Sequence, residues 1–270
     1  MGLAADDDRA AWARLGAELD RWPSGHATVW WRDDDAGAAS PAFDQLLRMA
    51  AAHGTPLVLA VVPVWLDEVT ARAIGAAPFE LAVLQHGYAH RNHEPPAPDG
   101  TRGKPAELGA ARAPDVALSE LAAGWIRLAE LLPGRLRSGL VPPWTRIAPA
   151  VRVALPGRGY RVLSTFGPRG TSRAAPGLRE LNTHIDPIQW RAGKRFGGTA
   201  WTLDQITVHL AARREGRVDP AEPTGLLTHH RDLSAPAWTA LNEILAGLRA
   251  HRAVAFPPLD VLVDFGGPMP

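Results

Sequence analysis

Continuous apolar runs of strand length alternate along the chain with segments whose apolar residues recur every three or four positions. Buried parallel strands have the first pattern and amphipathic helices the second. The sequence predicts strands at 27–31, 57–62, 81–84, 140–141, 160–163, 178–181, 225–227 and 253–256. It predicts helices at 8–22, 40–53, 67–73, 119–132, 203–214 and 236–250, and one that ends at 155. This alternation is typical of βαβ units in a parallel sheet.

About seven or eight such units follow one another without a linker, which predicts a single α/β domain built as a (β/α)7-8 barrel. Residues 1–25 are expected to form an N-terminal helix packed on a barrel of residues 26–265. The longest irregular stretch, 91–114, is rich in proline, glycine and charge. A loop of that length in a compact domain is usually functional or mobile, although its Lys104, Glu107 and Arg112 are interpreted as solvated.

Charge and hydropathy exclude several classes of partner. The 270 residues carry 29 Lys+Arg against 28 Asp+Glu, a net charge of +1, and the positive residues are scattered, which argues against a nucleic-acid partner. No apolar run approaches the 18 residues of a membrane span. The N-terminus is acidic and then amphipathic, unlike a secretory signal. We therefore expect a soluble, cytoplasmic protein, and the sequence leaves its oligomeric state undetermined.

Ten histidines and no cysteine limit the available chemistry to imidazole, carboxylate, hydroxyl and water. Polar residues directly follow several predicted strands, and the carboxyl ends of parallel barrel strands converge on one face, where catalytic groups collect. These strand-end residues are Asp33–Asp35, Gln85-His86, Pro142–Trp144, Ser164-Thr165, Asn182–Asp186 and His229-His230. The sequence therefore predicts one polar site at that face.

Two of these groups suggest a metal. Three adjacent carboxylates after the first strand repel one another unless a cation or a proton relieves them, and Ser40 is the better cap for the next helix. His86 and His90 are four residues apart, a spacing that lets both share a metal ion on one face of a helical turn. Position 87 is glycine, so this is not the metalloprotease helix motif. Together they predict two histidines and one carboxylate with open coordination positions, the pattern of a catalytic metal site.

An Asp-Asp pair after the first strand, an H-x-x-x-H after a later one and an L-x-H near the C-terminus together resemble the polysaccharide deacetylase superfamily, the carbohydrate esterase family four enzymes and their relatives. The resemblance runs from Trp31 to His230. It implies a (β/α) barrel, a divalent metal that is most often zinc, and hydrolysis of an N-acetyl group on a sugar.

The resemblance also assigns roles to single positions. It implies that Asp34 is the base and that Asp35, His86 and His90 bind the metal, although a shift of one residue would make Asp33 and Asp34 the base and the ligand. His229 matches the terminal histidine, expected to protonate the leaving amine. Substrate contacts are expected from the remaining matched or neighbouring residues, which are Asp33, Pro143, Trp144, Arg146, Asp186, Trp190 and His230.

Several positions depart from the family pattern. The arginine that precedes the family's prolines is absent from Gly139–Trp144, and Arg146 is a candidate to replace it. His230 stands where an aspartate often follows the histidine. These departures and the long loop indicate an outlying subgroup whose substrate need not be a chitin-like polymer, and the expected substrate is a glycan or a related small molecule. The alternatives are a carbohydrate-binding barrel without catalysis and a metallohydrolase of cyclic amides, although the latter commonly has H-x-H where this chain has Asp-Asp-Asp.

Overall fold

Parallel strands form the centre of the molecule, and helices cover their outer face. The structure is a computed structural model that describes residues 2–97, 103–263 and 265. Its helices are α1 Gly2–Leu19, α2 Pro41–His53, α3 Glu68–Gly75, α4 Pro114–Leu131, α5 Pro149–Ala154, α6 Thr199–Arg214, α7 Ala235–Ala250 and α8 Leu259–Leu262. Its strands are β1 Ala27–Ala36, β2 Leu57–Val61, β3 Leu81–His86, β4 Leu136–Val141, β5 Val162–Leu163, β6 Arg173–Ala175, β7 Leu178–Glu180, β8 Ile188–Gln189, β9 Arg195–Phe196, β10 Thr224–Thr228 and β11 Val254–Ala255.

Seven strands run parallel in the order β10-β1-β2-β3-β4-β5-β7, with β6 antiparallel at the edge of β7 and β11 beside the start of β1. The chain after β7 returns to β10, where Ile185 forms a parallel bridge with Leu226. The N–H of Leu227 also donates to the carbonyl of Ile185 at 2.8 Å. These contacts bring the two ends of the sheet together, which confirms the predicted α/β class and agrees with a barrel.

The period of two along each strand separates an inner from an outer core. Trp30 packs inside with Val58 and Leu84, whereas Val29 and Trp31 belong to the outer cluster between strands and helices. A third cluster lies beneath α4 and α5. Successive side chains of β1 therefore point alternately into the barrel and toward the helices, as far as the acidic end of the strand.

Helix α1 packs against α6, where Arg14 and Asp204 form an ion pair at 2.8 Å and Asp8 accepts the N–H of Ala200. Helix α2 begins at Pro41 with Ser40 as its N-cap, as the sequence predicts, because the Ser40 hydroxyl accepts the N–H of Phe43. No helix in the described ranges has the length and apolarity needed to span a bilayer.

Several predicted boundaries differ from the structure. Helix α4 starts at Pro114 instead of 119, because proline is favoured in the first helical turn. The aspartates do not follow the first strand but are part of it. Strands β6, β8 and β9 are absent from the prediction, since strands of two or three residues, partly arginine, carry no apolar run.

Candidate active site

The three consecutive aspartates at the end of β1, Asp33 to Asp35, point in different directions. Asp33 points outward and Asp34 inward, as the alternation of a strand requires. The register with β2 then shifts between Asp33 and Ala36, and Asp35 has a left-handed φ of 67°. This irregularity turns the Asp35 carboxylate toward the end of β3, so two neighbouring carboxylates serve one site.

His86 and His90 lie at the two ends of a tight turn after β3. The segment is not the helical turn that the spacing suggests, because Gly87 and His90 have left-handed φ values of 57° and 53°. The carboxylate of Glu107, fully buried, accepts the N–H groups of Tyr88 at 3.1 Å and Ala89 at 2.7 Å. A Cβ at position 87 would overlap that carboxylate, so glycine is required there. Glu107 thus supports the turn and is not the solvated loop residue expected.

Asp35, His86 and His90 converge on one point, and their ligand atoms lie within 4.8 Å of one another. Oδ1 of Asp35 is 3.2 Å from Nε2 of His86 and 3.3 Å from Nε2 of His90. Nδ1 of His86 lies 2.8 Å from the carbonyl of Val141, which it can contact only as a donor, so the lone pair of the neutral ring is on Nε2. Asp35 Oδ1 is buried without a hydrogen-bond partner. Two nitrogens and one oxygen aimed at a common point fit a divalent metal ion.

Charge coupling perturbs all three groups. Burial opposes ionisation of Asp35, but its close contact with His86 and the charges of the nearby histidines hold the pKa of this carboxyl well below its usual value. Burial also opposes protonation of His86, yet Asp35 and Asp34 raise the pKa of this imidazole. Burial and the charge of His86 lower the pKa of His90 to about 4. Perturbed groups of this kind are typical of functional sites.

Asp34 lies beside this centre, buried inside the barrel. Its carboxylate forms two parallel hydrogen bonds with Arg32, from Nε at 2.7 Å and from the second terminal nitrogen at 3.0 Å. Arg32 is itself fully buried and donates to the hydroxyl of Ser164 at 2.5 Å. A bidentate guanidinium both compensates the buried charge and fixes the orientation of the carboxylate.

His229 follows β10 on another side of the site. Its ring meets that of Trp190 edge to face, with centroids 4.8 Å apart. Trp190 Nε1 donates to Asp186 Oδ2 at 2.7 Å, so Asp186 fixes the indole against His229. Burial raises the pKa of Asp186, although the charge of His229 opposes this shift. His229 Nδ1 is buried without a partner.

Three residues predicted to touch substrate have other partners. Asp33 and His230 are buried and pair with each other, with Oδ1 and Nδ1 2.5 Å apart, so neither presents a surface to a ligand. Asp33 also accepts the Thr228 hydroxyl, which joins the ends of β1 and β10. Arg146 donates to the carbonyl of Pro105 at 2.6 Å. The guanidinium that pairs with Asp34 belongs to Arg32 and not to Arg146.

Aromatic rings surround the histidines. The His90 ring lies 4.3 Å from that of Trp144 and 5.3 Å from that of Trp65. Pro143, next to Trp144, is buried behind the His86–His90 turn and would collide with a side chain at Gly87. The non-glycine residues of positive φ in the described ranges are Asp35, His90, Trp144, Thr145 and Lys194. All belong to or adjoin this site, where such backbone strain is often concentrated.

Sequence reasoning missed Arg32, Trp65 and the role of Glu107. Arg32 could have been found, because residues i and i+2 of a strand share a face and Arg32 is two positions before Asp34. Trp65 and Glu107 carry no comparable signal, since only the folded chain brings them to the histidines.

Known structures resemble the whole barrel. A protein of Mycobacterium smegmatis described as a polysaccharide deacetylase superposes with a TM-score of 0.64 at 18% identity, over 89% of this chain and 90% of that chain. A family 4 acetyl xylan esterase from Clostridium thermocellum in complex with a cobalt ion gives 0.50 at 14% identity, over 87% and 89%. The chain has the polysaccharide deacetylase fold.

Proteins with this fold include enzymes and also pseudoenzymes. A pseudoenzyme of carbohydrate esterase family 4 from Bacillus anthracis gives a TM-score of 0.51 at 13% identity, over 86% of this chain and 64% of that chain. No family model and no curated protein matches the sequence. The resemblance inferred from the motifs is therefore confirmed for a divergent member of the fold, and the activity must be argued from the site.

Proposed function

We propose that the protein is a metal-dependent hydrolase of linear, non-peptide amide bonds that removes the acetyl group from an N-acetylated sugar or a related small molecule. The observation that carries the proposal is the convergence of Asp35 Oδ1, His86 Nε2 and His90 Nε2 beside the buried Asp34 carboxylate. Zn²⁺ is the proposed metal, because two imidazole nitrogens and one carboxylate with open positions are a common catalytic zinc set. When bound, the ion supplies Lewis acidity to an amide carbonyl and to water.

The chain's own groups supply the proton transfers. Asp34 accepts the proton of the attacking water. Arg32 holds the Asp34 carboxylate in the orientation that this transfer needs. His229 donates a proton to the departing amine, with its ring packed against Trp190. Trp144 and Trp65 flank His90 with apolar surface suited to a sugar ring. Each step thus uses a side chain that the strand ends bring to the site.

A second candidate is a carbohydrate-binding barrel without catalysis, favoured by the structural similarity to a pseudoenzyme. Binding alone does not require an acid, a base and metal ligands in one place. The two candidates make different predictions for Asp34, because only the hydrolase needs a base there.

The test measures bound metal and acetate release from N-acetylglucosamine and its oligomers, using zinc-loaded protein. Wild type should hold one zinc ion per chain and release acetate. His86→Ala should lose both properties, whereas the exposed His26→Ala should keep both. Asp34→Asn should keep zinc and lose about 10²- to 10⁴-fold in turnover. Wild type that binds no divalent metal contradicts the proposal, and zinc and sugar binding without turnover favours the binding barrel.

A further inference from the structure

A cavity beside the proposed metal centre contains charges that amide hydrolysis does not use. Its volume is about 490 Å³, and it is lined by Asp35, Ala38, Trp65, Lys194, Arg231 and Asp232. Only Asp35 has a role in the proposed chemistry. The other lining residues take no part in bond cleavage, so any contact they make with a substrate bears on which substrates fit.

The cations of this cavity are not equivalent. Lys194 Nζ lies 2.7 Å from Asp232 Oδ1, so these charges compensate each other. The Arg231 guanidinium lies 5.1 Å from the centroid of the Trp65 ring, and no carboxylate in the described ranges is within 4 Å of it. Arg231 is exposed at the cavity rim. The cavity therefore presents one uncompensated cation to a ligand.

Trp65 links this cation to the proposed metal centre. Its ring contacts the His90 ring at 5.3 Å and the Arg231 guanidinium at 5.1 Å. The close approach of Trp65 to the chain after β1 requires glycine at position 37, where any added Cβ would lie 2.5 Å from the Trp65 Cβ. A substrate whose acyl group reaches His90 consequently extends over one indole ring before it meets Arg231.

We propose that the substrate carries an anionic group, a carboxylate or a phosphate, about one sugar ring from its acetylated nitrogen, and that Arg231 binds it. This inference rests on the proposed function. A guanidinium offers a planar fork of donors that matches both anions, and the cation–π contact with Trp65 holds this guanidinium at the cavity. The Lys194–Asp232 pair holds the β8–β9 hairpin to the turn that contains Arg231 and shapes the opposite rim.

The test compares three sugars with zinc-loaded wild type, Arg231→Gln and Arg191→Gln. N-acetylglucosamine is neutral, N-acetylglucosaminuronic acid carries a carboxylate at C6, and N-acetylglucosamine 6-phosphate carries a phosphate at C6, so both anions lie across the ring from the acetylated nitrogen. Binding is measured by calorimetry and turnover by acetate release. At least one anionic sugar should bind wild type more tightly than the neutral sugar by about 10- to 100-fold, as expected of a hydrogen bond between charged groups. The preferred anion identifies the group.

Arg231→Gln should remove this preference through KM, so that the anionic sugars bind no more tightly than the neutral sugar. Arg191 is an exposed arginine of the β8–β9 hairpin and lies outside the cavity lining, so Arg191→Gln should retain the preference. Equal binding of neutral and charged sugars to wild type, failure of all three to bind, or a preference that survives Arg231→Gln would overturn the inference. Binding with the charge preference but without acetate release would instead contradict the proposed hydrolysis and leave the anion site standing.

Discussion

Two histidine pairs in this barrel have similar residues around them but differ in whether their ring nitrogens are available to a ligand. One is the strand-end site of Asp35, His86 and His90. The other, here called the closed cluster, comprises His184, His209, Arg213 and Glu222 between α6 and the start of β10. Its histidine rings stack with centroids 3.7 Å apart, and His184 Nε2 lies 3.3 Å from Glu222 Oε2. Both groups therefore place two imidazoles beside a carboxylate.

The two groups differ in the backbone group that contacts Nδ1 of the histidine, a carbonyl at His86 and an N–H at His184. His86 Nδ1 donates to the carbonyl of Val141, which leaves the lone pair of Nε2 facing Asp35. His184 Nδ1 instead accepts the N–H of Gly225 at 3.0 Å, so its proton lies on Nε2 and faces Glu222. Arg213, buried nearby and bonded to the Thr224 hydroxyl, adds a positive charge to the closed cluster. The tautomer imposed by the main chain makes one group a candidate ligand set and the other a packed polar core.

The largest expected effect tests this difference directly. His90→Ala should weaken zinc binding by more than about 10³-fold, because a three-ligand site loses one of its protein donors. His209→Asn, in the closed cluster, should leave the zinc stoichiometry at one. Calorimetric titration of both variants measures this. Loss of zinc in the His209 variant, with His90→Ala unaffected, would exchange the roles of the two clusters.

A smaller effect is expected from the support of the His86–His90 turn. Glu107 accepts two backbone N–H groups with its two oxygens, and a glutamine at this position would point an NH₂ group at one of them. Glu107→Gln should therefore weaken zinc affinity by about 10- to 100-fold, the usual cost of losing a group that orients ligands. The absorption spectrum of the cobalt-substituted protein should shift if the ligand geometry changes.

Glu120→Gln is the matched control, since Glu120 pairs with Arg112 at 2.8 Å and does not contact the turn. Wild-type zinc affinity in Glu107→Gln would show that the turn holds its shape without the carboxylate. Equal losses in both variants would indicate a general effect of loop stability.

The fold was predictable because its signals are local. Apolar runs locate β1 to β4, and the Ser40 cap and Gly54 mark both ends of α2. The helix cap can be predicted because the side chain that accepts the free N–H group at the helix terminus is adjacent to the helix in sequence. Pairs such as β8–β9 were not predictable, since their two-residue strands depend on partners that the fold supplies.

The site was predictable only where its geometry follows from strand ends. His86 and His90 were found together with Asp35, yet the choice among Asp33, Asp34 and Asp35 depended on one irregular backbone position that no residue pattern reveals. Arg146 was proposed as the replacement arginine because it lies near the prolines in sequence. Arg32 holds Asp34 because both lie on the inner face of β1.

The smallest expected effect is a contribution of the closed cluster to the pH dependence of stability. Burial, followed by the charges of His184 and Arg213, lowers the pKa of His209 to about 3. Burial also lowers the pKa of His184, although Glu222 opposes the shift. Folded His209 thus stays neutral to about pH 3, whereas the unfolded chain takes up this proton near pH 6.5. The unfolded state binds more protons in that window, so stability falls as pH decreases from 6.5.

Replacing His209 should flatten this dependence. Each pH unit in the window costs at most about 1.4 kcal/mol per such histidine, and His209→Asn removes one of the two titrating rings. Urea unfolding of wild type, His209→Asn and the exposed His26→Asn at pH 7, 6, 5 and 4 measures the slope, and the His26 variant is expected to match wild type. An unchanged slope in His209→Asn would mean that this ring takes up its proton without opening the fold.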